Sequence, residues 1–301
     1  MKADLHVHGM SRDISSYSGD LGPFGEDILE LERKLYNLPS LLNVAVSRGL
    51  DMIALTDFGH MGSFKVVKND YSFRCSDDPQ DWEGIFNYNG HCESEFEKEE
   101  IDKSSIRIKN ENWDKPLVVL KGEEINTLQG EVIGIGLESL IEPGQRLKDT
   151  IDEIARQGAI IQFPHPLATF PGAGGIGLQN LEEAIDYCNV QNYPQMTEIK
   201  NGNLASPLNY FNYKTKKLVE KHLSDKTICV GNSDARGHTS KQWKKVGSIY
   251  TDFTELEEPS RDALRDYVLK KGKTEIYGKE NNIFIVGAMM APVVLKKIFG
   301  S

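Results

Sequence analysis

The sequence predicts an α/β fold built on a parallel sheet that closes, or nearly closes, into a barrel. Short apolar runs of strand character alternate with stretches of helical spacing along most of the chain. Polar residues able to do chemistry fall at or just past the end of one such run after another, and in a parallel barrel those ends meet on one face. An open doubly wound sheet is the competing topology. It loses ground because no Gly-x-Gly-x-x-Gly opens a helix after the first strand.

Residues 3–8 form the first strand. A helical stretch covers about 26–48, interrupted near Pro39, and Gly49 ends it as a C-terminal cap would. Residues 51–56 are the second strand, and 117–125 and 132–137 read as two more. Leu147, Ile151, Ile154 and Ala155 lie at helical spacing within 146–157, with Gly158 as the stop. Residues 159–163 read as a strand buried on both faces. A helix near 181–188, a strand at 196–200, a helix at about 206–223 with Pro207 in its first turn, and a strand at 227–231 follow. A helix at 262–271 is closed by Gly272.

With 301 residues the chain fits one such domain, 1–301, and shows no internal repeat. Residues 69–116 break the rhythm with a dense set of acids and several aromatics. They are read as an inserted segment after the second strand that caps the barrel mouth, since long loop insertions often shape specificity.

The formal net charge is −10, which disfavours a protein that coats nucleic acid. The apolar stretch 283–295 is shorter than the ~20 residues that span a bilayer, so no membrane partner is expected. Cys75, Cys92, Cys188 and Cys229 form no Cys-x-x-Cys pair and read as scattered reduced thiols. The chain enters a strand at once with no signal-peptide pattern, and a cytoplasmic location is expected.

His6 and His8 are two apart on a strand and so point to one side, where they can grip one metal ion. Left unligated inside a barrel they would carry a desolvation cost. Glu124 ends the apolar strand 117–125, and a carboxylate there can bridge two divalent ions. Asp234 follows Gly231-Asn232-Ser233 in the same way. His165 is held between Pro164 and Pro166, which fixes its direction. With His60 after the second strand and His238 after the last, five of the seven histidines fall at strand ends. Competing signatures are absent: there is no Gly-x-Ser-x-Gly and no Gly-x-x-x-x-Gly-Lys-[Ser/Thr]. Gly172, Gly174, Gly175 and Gly177 read as loop glycines.

In motif order these residues resemble the PHP (polymerase and histidinol phosphatase) metal-dependent phosphoesterases. Asp4-Leu5-His6-Val7-His8 with Ser11 and Asp13 is similar to the opening motif, and 49–57, ending in Thr56-Asp57, to the second. Gly122-Glu123-Glu124 is similar to the Gly-x-Glu motif, which selects Glu124 over Glu123. Pro164-His165-Pro166, Glu198-Ile199-Lys200-Asn201 and Gly231-Asn232-Ser233-Asp234-Ala235 follow. The resemblance implies a distorted (β/α)7, TIM-like barrel with two or three divalent ions: zinc, manganese or iron. It implies that His6, His8 and Asp234 hold one ion, that Glu124 bridges it to a second held by His165, and that Asp13 belongs to a third with histidines of the second and last motifs. The sequence departs from the pattern twice. Where the family has Thr-Asp-His, Phe58 follows Asp57 and the histidine is His60. Where it has Ser-Asp-x-His, Arg236 stands at the last position and the histidine is His238. Glu131 and Glu138 are candidates for a further ligand of the second ion.

The expected function is hydrolysis of a small phosphorylated substrate through a metal-activated water. Asp13, His60 and His238 are the catalytic candidates. Arg12, Lys200, Asn201 and Arg236, beside ligand positions, are candidates to grip the phosphate. Hydrolysis of an amide or lactone, and a non-catalytic metal-binding interaction domain, are the rival readings.

Overall fold

The computed structural model describes residues 1–9, 38–59, 64, 67, 96–170, 173–204, 208–236 and 243–279. β1 (Lys2–His8) pairs in parallel with β2 (Met52–Leu55), and β2 with the first half of β5 (Leu117–Thr127). Between β1 and β2 lies α1 (Leu38–Ser47), the described part of the expected first helical stretch. Gly49 follows with φ 72°, as its reading as a stop requires. The second half of β5 turns back on β6 (Gly130–Ile135), which pairs antiparallel with β7 (Ile160–Phe163). β7, β8 (Gln195–Asn201) and β9 (Ile228–Asn232) are parallel again. α2 (Leu147–Arg156), α3 (Leu178–Gln191) and α4 (Asn209–Leu218, continued by a π turn at Val219–Leu223) fill the connections from β6 to β9. β10 (Ala235–Arg236) lies along the end of β1. β11 (Ile249–Phe253) and β12 (Thr274–Gly278), separated by α5 (Arg261–Leu269), add antiparallel strands beside β1.

The sheet is therefore mixed α/β, where alternation alone predicts a parallel one. The cause is local. Only Leu128 and Gln129 separate β5 from β6, and a two-residue link can join only antiparallel neighbours, because a parallel return needs a long crossover.

The sheet nearly closes. β9 meets β1 and β11 through side chains: Leu5 N donates to Asn232 Oδ1 (2.8 Å), while buried Thr251 Oγ1 accepts from Gly231 N (2.9 Å) and donates to Gly231 O (3.0 Å). Residues from all the barrel strands, among them Leu5, Ala54, Leu120, Ile133, Met196 and Val230, fill the lumen, and Phe253, Leu264 and Val268 plug its floor. The opposite faces of the strands pack under α1 on one side and under α2 and α3 on the other.

Two bulges decide which side chains face inward. In β1 the register with β2 slips between Asp4 and Val7. Ala3 and Leu5 face the lumen, yet past the slip so do His6 and His8, while Val7 joins the outer core. In β8 the register slips between Glu198 and Lys200, so that Asn201 shares the inner face with Glu198. A bulge inserts one residue and so re-aims everything after it.

Of the expected insert, residues 69–95 lie outside the described residues. The remainder contains β3 (Glu97–Asp102) and β4 (Ser105–Lys109), a hairpin that pairs along residues 117–120 of β5. It forms wall beside the lower part of β5, and Ile106, Ile108 and Trp113 enter the core. Glu97, Glu99 and Glu100 on β3 keep its outer edge charged and solvated. The apolar stretch 283–295 also lies outside the described residues. No helix among the described residues is long and apolar enough to cross a membrane.

Because Thr251 supplies both of the hydrogen bonds that join β9 to β11, Thr251→Val should destabilise the fold by about 1–3 kcal/mol, leaving the Gly231 N–H and C=O unpaired. Urea unfolding measures this; an unchanged midpoint would show that the seam is held by something else.

Candidate metal centre

The inward-facing ends of five segments bring six polar residues together. His6 Nε2 and His8 Nε2 lie 3.1 Å apart, and both face Glu124 Oε2, at 3.5 and 3.3 Å. Asp234 Oδ1 is 3.4 Å from His8 Nε2 and 3.7 Å from His6 Nε2. On the other side of Glu124, Oε1 is 3.4 Å from His165 Nε2, which is 3.8 Å from Glu131 Oε2. Three sets, His6–His8–Glu124, His6–His165–Asp234 and Glu124–Glu131–His165, each offer ligand atoms within 4.8 Å of one another. All six residues are buried.

These residues fit divalent ions. Both Glu124 oxygens and Asp234 Oδ1 are buried without a hydrogen-bond partner, although such atoms are normally paired. Two imidazole nitrogens at 3.1 Å can share only one proton; as two lone pairs they address a common cation. The mixed nitrogen and carboxylate donors suit zinc, manganese or iron. The backbone agrees: His165 (φ 29°) and Asp234 (φ 48°) are non-glycine residues in the left-handed region, a conformation that persists where surroundings enforce it.

A second layer aims the first. Glu198 Oε1 accepts from His6 Nδ1–H (3.2 Å) and Asn232 Nδ2 (3.0 Å), and its Oε2 accepts from His165 N (2.8 Å) and Asn201 Nδ2 (2.9 Å). The bond to Nδ1 leaves Nε2 of His6 as the lone pair. Asn201 also donates to Asp234 Oδ2 (3.2 Å). Buried Asp4 accepts from Ser233 N (3.0 Å), Ser233 Oγ and Gly247 N (2.7 Å), which pins the loop carrying Asp234.

Burial alone would strip charge from these groups, but their mutual field reverses it. Burial opposes the imidazolium of His6, yet Asp234, Glu124 and Glu198 hold it well above its ordinary value of 6.5, and His165 is raised in the same way, chiefly by Glu124. Against the same burial, His6 and the neighbouring histidines hold Glu124 well below the carboxylate range, and His6 with Arg236 does so for Asp234. Glu123 faces the other side of β5, accepting from Ile141 N (3.0 Å), and burial pushes it up to about 7.

The expected ligands His6, His8, Glu124, His165 and Asp234 thus lie together. Asn201 lies between Glu198 and Asp234, buried. Arg236 lies beside Asp234, its Nη2 3.6 Å from Oδ1. Lys200 is turned out by the β8 bulge and donates to Gly278 O (2.7 Å), away from these atoms. Arg12, Asp13, His60 and His238 lie outside the described residues. Glu138 sits on the exposed surface with Lys103 (3.3 Å). Glu131 is the ligand candidate that strand-end reasoning left unresolved: β6 runs antiparallel, so its first residues, not its last, reach the site. The signal was a carboxylate next to Gly130 at the head of an apolar strand. Gly174 explains part of the glycine loop. Its O accepts from Glu131 N (2.6 Å), and a Cβ there would fall 1.7 Å from Glu131 Oε2.

No protein-family model matches the chain. An uncharacterized protein of Methanocaldococcus jannaschii is 26% identical over 182 residues, 60% of this chain and 77% of that protein. The fold is similar to that of PsfC from Pseudomonas syringae (TM-score 0.53, 18% identity, 99% of this chain and 98% of that one). It is also similar to a two-domain protein of Bacteroides vulgatus described as containing a predicted PHP-like metal-dependent phosphoesterase (TM-score 0.50, 16% identity, 92% of this chain and 64% of that one).

Gly174→Ala should displace the Glu131 carboxylate and lower bound metal by about one ion per chain, leaving the His6–His8 side loaded; elemental analysis reads this, and full occupancy would separate Glu131 from the metal. A pH test follows from the imidazoles. Charge on His6 and His165 stabilises the stripped protein fully below 6.5 and ceases to do so as pH rises through their raised folded values. Metal binding needs the same nitrogens deprotonated. Chelated protein should therefore lose melting temperature as pH is raised from neutral to about 9, while metal-loaded protein should not. Identical profiles would mean that no ion binds these nitrogens.

Proposed function

We propose that this chain is a metal-dependent hydrolase of PHP type that releases phosphate from a small phosphoester. The observation that carries the reading is the convergence of buried imidazole nitrogens on both oxygens of Glu124, which themselves have no hydrogen-bond partner. The likeness to the Bacteroides vulgatus structure, and the motif order along the chain, support the phosphoester as the bond cleaved.

His6, His8 and Asp234 would hold one ion with Glu124, and Glu131 and His165 a second across the same carboxylate. Ions in these positions supply a water ionised near neutral pH and a positive centre for the phosphoryl oxygens. Glu198 keeps His6 in the ligating tautomer and, through Asn201, keeps Asp234 in place. Asp13, His60 and His238 belong to the proposal as holders of a third ion or, for the histidines, as donors of a proton to the leaving oxygen. Arg12 and Arg236 would bind the phosphate.

The test is a phosphoester panel run on protein reconstituted separately with zinc, manganese and iron, beside Glu124→Gln and Lys200→Met. Wild type should release phosphate from at least one ester. Glu124→Gln should lose turnover by about a hundredfold or more together with metal, whereas Lys200→Met, turned away from the site, should keep both. A loaded wild type that cleaves amides or lactones but no phosphoester would sink the reading.

A further inference from the structure

Two cations, one on β10 directly after Asp234 and one on the turn packed against β10, are not used by the ligand set. The Arg236 guanidinium lies 5.2 Å over the ring of Phe58, which also stacks on the His8 imidazole at 4.4 Å and 6°. Phe58 itself is held by a bridge to Glu124 in β5. The guanidinium thus lies between Phe58 and Asp234, with 26% of its side chain exposed. Among the described residues its one charged contact is Asp234, and no hydrogen bond uses its N–H groups. The second cation is Lys245, at the end of a short 3-10 turn (Trp243–Lys245) packed against β10. Lys245 is only 7% exposed, and its Nζ has no hydrogen-bond partner. Burial pushes its amine down to about 8, and Asp234 partly restores its charge.

An ammonium buried without a partner costs stability. It is explained if an anion completes it. The site is crowded with buried carboxylates, Glu124, Glu131, Glu198 and Asp234. Divalent ions offset these, but a phosphate dianion entering the same low-dielectric space adds charge that needs further cations. Arg236 offers a planar fork and Lys245 a point charge, and both bind phosphate oxygens well. We propose that Arg236 and Lys245 form a two-cation clamp for the non-bridging oxygens of a terminal phosphate, with Phe58 as the platform that orients the guanidinium. This rests on the phosphoesterase reading and narrows it to substrates ending in a phosphate dianion rather than diesters.

The test is calorimetric titration of inorganic phosphate into metal-loaded wild type, Arg236→Met and Lys245→Met, with metal content measured in each and thermal melts alongside. Each variant should keep its metal and weaken phosphate binding about tenfold. Lys245→Met should also melt higher than wild type, because a buried unpartnered charge is gone; a residue with only a structural role would lower stability and affinity together. Phosphate affinity within about twofold of wild type in both variants overturns the clamp, and a Lys245→Met that melts lower removes Lys245 from it. A loaded wild type that neither binds phosphate nor cleaves any ester overturns the phosphoesterase reading itself.

Discussion

The Glu198 carboxylate is the point on which the upper half of the barrel depends. It accepts hydrogen bonds from β1 (His6), from the turn after β7 (His165), from its own strand (Asn201) and from β9 (Asn232). Four elements from both sides of the seam are registered against one group. With all four donors in place it orients the two candidate ligand histidines and is part of the field that raises the pKa of His6.

Much of this was legible in the sequence because it depends on local rules. Period-two spacing put His6 and His8 on one side, and apolar runs ending in Glu124, His165 and Asp234 put carboxylates and an imidazole where a barrel gathers strand ends. The elements 147–156, 160–163, 195–201 and 228–232 lie within one or two residues of the periodic pattern. What local rules could not show was direction and parity. Nothing in the composition of residues 130–135 distinguishes an antiparallel strand from a parallel one, so the sequence leaves Glu131 and Glu138 side by side as candidates. β10, β11 and β12 drew no reading, since each is short and β12 is largely exposed.

Parity failed at the bulges. Glu198 and Lys200 are two apart and in a regular strand would share a face, which makes Lys200 look like a group inside the site. One register slip sends it outward and brings Asn201 in. The same kind of slip in β1 is what lets an apolar lumen residue, Leu5, sit directly before the candidate ligand His6. Both irregularities lie at the level where the lumen changes from apolar filling to polar ligands, and a regular ladder could not make that change within one strand without exposing one set to the wrong side.

The seam has a consequence for how the molecule breathes. Elsewhere around the barrel neighbouring strands are joined by backbone ladders, but β9 reaches β1 and β11 through the side chains of Asn232 and Thr251. The amides of Leu5 and Gly231 therefore have a less redundant path to protection from solvent exchange than those in the β5–β6 ladder. His6 stands on one side of this joint and Asp234 follows the strand on the other. An ion held between them would act as a clasp: it would finish the barrel wall while it finished the site, and the slowest-exchanging amides of the loaded protein would extend across a joint that would open early in the empty one.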